Sequence, residues 1–247
     1  MSALHASGLI LALALGLTAA AANLLGGLFI VRGDWSRQYL KYFLALGAGF
    51  MLAAVFLEIL PESIRLAGHT ALLMVLVGYF LVHFFEHTLA PHFHFGEETH
   101  LEEMSPHHAG FTALLGLTIH TFFDGVAIAS GLLVSTWLGG IIFLAIFLHK
   151  FPEGFTVASL MLASGQSRRV ALLASAVLGA ATVAGVLLMH LLRGQVSYAL
   201  PLSGGVTLYV AASDLIPEVN REPGMRMALL VFFGVALMFI LKRAFHL

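Results

Sequence analysis

Eight apolar stretches, each about the twenty residues that a helix needs to cross a bilayer, alternate with polar or Gly/Pro-marked connections. They run at 6–31, 39–60, 70–90, 109–134, 138–162, 170–192, 197–216 and 225–245. The breaks at 32–38, 61–69, 135–137, 164–169, 193–196 and 217–224 are brief. None of the stretches alternates apolar and polar with period two, as the strands of a membrane barrel do. The pattern predicts an all-α integral membrane protein with eight transmembrane helices in a single domain over 1–247. Met1 to Gly8 carries no Lys or Arg, unlike the positive start of a signal peptide, and apolar sequence continues from Asn23 to Val31. The first stretch is therefore read as a retained helix.

Composition sharpens the class. The chain has 247 residues, 60% hydrophobic and only 10% charged, against roughly 25% charged in soluble domains. A net charge of −1 and the lack of a basic patch give no footing for nucleic acid. Cysteine is absent, which excludes disulfides and thiolate metal sites. Thirteen histidines against twelve Lys plus Arg is an unusual balance that fits metal handling.

The one long connection, 91–108, holds five histidines and four glutamates. So many polar residues leave it no apolar core, and it is expected to be a disordered His/Glu-rich loop between helices three and four. The positive-inside rule sets orientation. With the N-terminus outside, the inner loops hold seven Lys or Arg and the outer ones four, while Lys150 falls within a span. Both termini are thus expected outside and the 91–108 loop in the cytosol. A weak internal echo supports inverted repeats: Glu58 and Asp214 each stand three residues before a Pro-Glu pair, in the second and seventh stretches.

The chemistry concentrates in the fourth and fifth stretches. His120 precedes Asp124, and His149 precedes Glu153, by four residues. That spacing puts each imidazole and carboxylate on one helix face. His120 lies about 16 Å into its helix at about 1.5 Å per residue, near mid-membrane, where ionisable groups are costly and usually functional. Imidazole with carboxylate suits zinc, iron(II), manganese or cobalt. Pro152 cannot donate to the Leu148 carbonyl, so a kink or frayed turn is expected beside His149. Lys150 emerges about 100° round the helix from His149, where Asp124 and Glu153 can accept its hydrogen bonds. Glu58 and Asp214 are candidates for the pathway. So are His83, Glu86 and His87, which share a face near the cytosolic end of the third helix.

His120 to Gly125 and His149 to Gly154 resemble the paired signatures of the ZIP (Zrt/Irt-like) family of divalent-metal transporters. The similarity extends to Gly47–Leu52 with Leu60-Pro61-Glu62, and to Ser203–Gly205 with Pro217-Glu218. The resemblance implies a 3+2+3 helix arrangement, homodimers, and transport of zinc or related ions toward the cytosol. It implies a principal metal site of His120, Asp124, His149 and Glu153, with Met51 as a variable ligand. Some members carry a second metal beside the first. Here those positions hold Thr121 and Lys150, and the sixth stretch has no acid, which points to one metal. The metal is expected as transported substrate, with no organic cofactor, in a multi-pass protein of a prokaryotic cytoplasmic membrane. The alternative is a membrane-embedded zinc hydrolase, but there is no His-Glu-x-x-His helix and no Ser or Cys beside a candidate base.

Overall fold

A computed structural model describes residues 2–32, 37–89, 109–222 and 224–245. The expected 91–108 loop lies outside them, as do Trp35 and His246. Among the described residues eight helices are long and apolar enough to cross a membrane. They are α1 (Gly8–Arg32), α2 (Leu40–Ala67), α3 (Thr70–Thr88), α4 (Ala113–Val134), α5 (Thr136–Ala163), α6 (Arg168–Leu191), α7 (Arg193–Arg221) and α8 (Met225–Phe245). Local signals set their ends. Ser135 caps α5 by accepting the Leu138 N–H at 3.1 Å, and Ser167 caps α6 from Val170 at 3.3 Å. Gly165, at φ 77°, closes α5 while the Gln166 N–H reaches the Met161 carbonyl at 2.9 Å.

Two boundaries differ from the sequence expectation. Pro61 and Pro217 do not end their helices, which continue to Ala67 and Arg221. In each case a single π-turn precedes the proline, over Val55–Ile59 and Val210–Leu215. The Leu60 N–H bonds to Val55 and the Ile216 N–H to Ala211, five residues back. The wider turn lets the chain pass a residue that has no N–H to give. Around Pro152, by contrast, α5 runs as helix from Thr136 to Ala163, so the expected frayed turn is absent. The Leu148 carbonyl still lacks its usual donor.

Helix partners follow an internal exchange of α1 with α6, α2 with α7, α3 with α8 and α4 with α5. The pairing α1–α5 maps onto α6–α4, α2–α8 onto α7–α3, and α2–α5 onto α7–α4; all are observed. This is the 3+2+3 inverted repeat. Two groups result: α1, α4, α5 and α6 pack together, and α2–α8 and α3–α7 flank them. The α2–α5 and α4–α7 contacts join the two groups.

Glycine sets the closest crossings. A Cβ on Gly154 would strike the Asn23 carbonyl oxygen of α1, and one on Gly26 would strike the Phe151 carbonyl oxygen of α5. Each carbonyl belongs to the residue three before the opposing glycine. The same reciprocal contact recurs between Gly125 and Gly185, Gly78 and Gly205, and Gly49 and Gly234. Small residues that let backbones touch are the usual glue of helices in lipid, where apolar burial gives little drive. Outward faces stay apolar, as at Phe80, Phe84, Phe232 and Phe239.

Candidate metal centre

Gly125 and Gly154 directly follow Asp124 and Glu153. Their crossings fix the depth of the two carboxylates by clamping α4 against α6 and α5 against α1. Ser175 of α6 adds a hydrogen bond to the Gly154 carbonyl at 2.9 Å. The α4–α5 contact then turns both acid-bearing faces toward one another.

His120, Asp124, His149 and Glu153 are all buried, and one ligand atom from each falls within 4.8 Å of every other. His149 Nε2 lies 3.4 Å from Asp124 Oδ2. His120 Nε2 lies 3.8 Å from Asp124 Oδ2 and 3.7 Å from Glu153 Oε1. Tetrahedral ligands about 2.1 Å from a zinc ion are themselves about 3.4 Å apart. Three of the donor separations are within about 0.4 Å of that value, and the whole set, within 4.8 Å, closes on an ion by modest side-chain movement. His149 Nδ1 donates to the Ala145 carbonyl at 3.1 Å. That bond places a proton on Nδ1 and turns Nε2 toward the centre.

Lys150 completes the constellation. Its ammonium, fully buried, lies 2.7 Å from Asp124 Oδ2 and 2.6 Å from Glu153 Oε2. It also donates toward Thr121 Oγ1 at 3.3 Å. Thr121 in turn donates to Glu153 Oε1. Two carboxylates and one ammonium leave a net negative charge in a low-dielectric site, which favours a cation there.

The remaining candidates make other contacts. Met51 is fully buried in the apolar cluster around Leu44, Ala48 and Val157. It shares a face of α2 with Gly47, which packs against His149. Glu58 is nearly buried in the π-turn of α2, where Trp137 Nε1 donates to it at 3.2 Å. Asp214 is buried in the π-turn of α7, beside Ser213, whose hydroxyl meets Tyr79 at 2.6 Å. Of the α3 trio, Glu86 is buried and accepts from Tyr209 at 2.9 Å. His83 and His87 stack with ring centroids 4.0 Å apart, and His87 Nδ1 bonds to the His83 carbonyl at 2.9 Å.

Several contacts had no sequence signal. Trp137 reads as an interfacial aromatic and Lys242 as a topology charge, yet both hold Glu58. Tyr209 and Ser175 lie in unremarkable apolar runs. Only folding places them on Glu86 and on the Gly154 carbonyl.

Comparison with known proteins bears on the family. A family profile described as ZIP Zinc transporter matches residues 94–242, more than half of the chain. Zinc transporter ZIP13 homolog of Drosophila melanogaster is 30% identical over 56% of this chain and 42% of its own length. Zinc transporter ZIP13 of Pongo abelii is 26% identical over 85% of this chain and 69% of its own. Zinc transporter ZIP5 of Homo sapiens is 34% identical over 44% of this chain and 21% of its own. The chain thus spans well under half the length of two of these three relatives. With eight apolar helices, paired His–carboxylate turns and that profile match, the chain belongs to the ZIP zinc transporter family.

Proposed function

We propose that this protein moves divalent metal ions, zinc foremost, across its membrane into the cytoplasm through one mid-membrane site. His120, Asp124, His149 and Glu153 bind the ion in transit, and iron(II), manganese, cobalt and cadmium are further cargo compatible with the donor set. The observation that carries this reading is the convergence of four buried donors, two from each of two crossing helices, around one ion-sized centre. The hydrolase alternative is not favoured, because Lys150 already pairs with both carboxylates of the centre. The relatives' names as zinc transporters support transport in place of catalysis.

Lys150 and Thr121 stand in place of a second metal, so the centre takes one ion. A fixed ammonium holds the carboxylates as a second cation would, and repels another ion. Glu58 and Asp214, with His83, Glu86 and His87, line the route, while Met51 offers a soft donor from α2. The 91–108 loop modulates flux from the cytosolic side. The chain acts as a homodimer in the cell membrane with both termini outside, a reading that rests on family resemblance and on the charge bias of the loops.

The test is uptake of radioactive zinc into proteoliposomes across a panel of competing metals. His120→Ala and Glu153→Ala should each abolish saturable uptake while the protein still inserts and purifies. Unchanged uptake in both variants rules out this site.

A further inference from the structure

A cavity of about 510 Å³ is lined by residues of α2, α4, α5 and α8. Two carboxylates stand in it, and each is held by a cation. Glu62 is paired with Arg65, whose Nε lies 3.0 and 2.9 Å from its two oxygens. Glu58 is paired with Lys242 of α8, with Nζ 2.8 Å from Oε1.

The Lys242 contact has a second half. Its Nζ also donates to the Leu57 carbonyl at 2.7 Å. In an uninterrupted helix that carbonyl would accept the N–H of residue 61, but residue 61 is proline and has none. The π-turn bond from Leu60 to Val55 does not use it either. Two hard oxygens, a nearly buried carboxylate and a carbonyl released by Pro61, therefore grip one ammonium. Trp137 holds the other oxygen of the same carboxylate at 3.2 Å, which fixes its orientation. Oxygens arranged to bind an ammonium are also suited to a divalent cation that keeps part of its water shell.

We infer that Glu58 and the Leu57 carbonyl form an outer cation site, and that Lys242 is a tethered competitor seated in it. An incoming divalent ion takes these oxygens by displacing the ammonium, whose side chain is 40% exposed and free to swing into water. Lys242 thereby sets the threshold concentration at which cargo enters. This rests on the transport reading above, and the test has one arm that does not.

In the first arm, zinc uptake is measured for Lys242→Met, Lys242→Arg and Glu58→Gln. Removing one partly exposed ion pair corresponds to roughly a two- to fivefold effect. Lys242→Met should lower KM by about that factor with kcat little changed, and Lys242→Arg should keep the original KM. The gain should vanish in a Glu58→Gln background. An unchanged KM in Lys242→Met, or the same gain without the Glu58 carboxylate, overturns the inference.

The second arm needs no transport. The chain has no cysteine, so Val134→Cys places a single thiol on the cavity wall. Labelling by a cationic thiosulfonate should speed up by roughly two- to fivefold when Lys242→Met is added, labelling by an uncharged one should not, and Glu58→Gln should cancel the difference. If the cationic reagent gains nothing, Lys242 does not occupy a cation site. If the protein moves no metal yet this labelling pattern holds, the transport reading fails and the outer site stands.

Discussion

Lys150 Nζ lies 2.7 Å from Asp124 Oδ2, wholly buried and between the two helices that carry the candidate ligands. The same ammonium reaches Glu153 at 2.6 Å. A charge this deep is tolerated because it is paired twice and hydrogen-bonded to Thr121. Lys150→Met leaves two buried carboxylates without their cation, and breaking a buried pair in this way costs about 3–5 kcal/mol. A large drop in unfolding temperature, partly restored by saturating zinc, is expected by fluorescence-detected size exclusion. A variant as stable as the parent contradicts a structural role for the pair.

Stoichiometry follows from the same contact. The unaltered protein should bind one tight intramembrane equivalent of zinc by calorimetry, counted above the weak histidine-rich background. Lys150→Asp should admit a second equivalent or change the order of preferred metals. Two tight intramembrane equivalents in the parent chain would falsify single occupancy.

The crossing at Gly154 holds Glu153 at its depth. Gly154→Ala drives a Cβ into the Asn23 backbone, and overpacking of this kind costs about 1–3 kcal/mol. Zinc uptake should fall more than stability does, because α5 must shift away from α1 and carry Glu153 with it. Gly140→Ala, where a Cβ meets open space, should leave uptake unchanged and gain up to about 1 kcal/mol from helix propensity. Equal effects of the two changes on uptake would show that the Gly154 crossing does not position the site.

Much of this was legible from the residues. Apolar run length located all eight helices, because lipid demands internal hydrogen bonding over a fixed thickness. The four-residue spacing put His120 with Asp124 and His149 with Glu153 on shared faces. The echo of Glu58-to-Pro61 in Asp214-to-Pro217 marked the repeat, whose packing exchange is now visible between α1–α5 and α6–α4. Other features were hidden. A proline in sequence reads as a helix end, yet a π-turn absorbs Pro61 and Pro217, and no local pattern announces that turn. Lys242 is 184 residues from Glu58 along the chain, and only the α2–α8 crossing brings them together.

The histidine-rich segment offers a separate check. Its five imidazoles are weak ligands that follow the third helix in sequence, and Glu86 of that helix is held by Tyr209. Removing residues 92–108 should change apparent affinity or regulation and leave substantial uptake. Loss of uptake in a deletion protein that still folds would place the loop in the pathway itself.

The most direct measurement is anomalous diffraction at the zinc edge from zinc-loaded crystals, with the same data from Glu153→Ala. One intramembrane peak is expected, within about 2.0–2.3 Å of donors from His120, Asp124, His149 and Glu153, and it should weaken or vanish in the variant. A peak held by other residues, or one that persists undiminished without Glu153, contradicts the account.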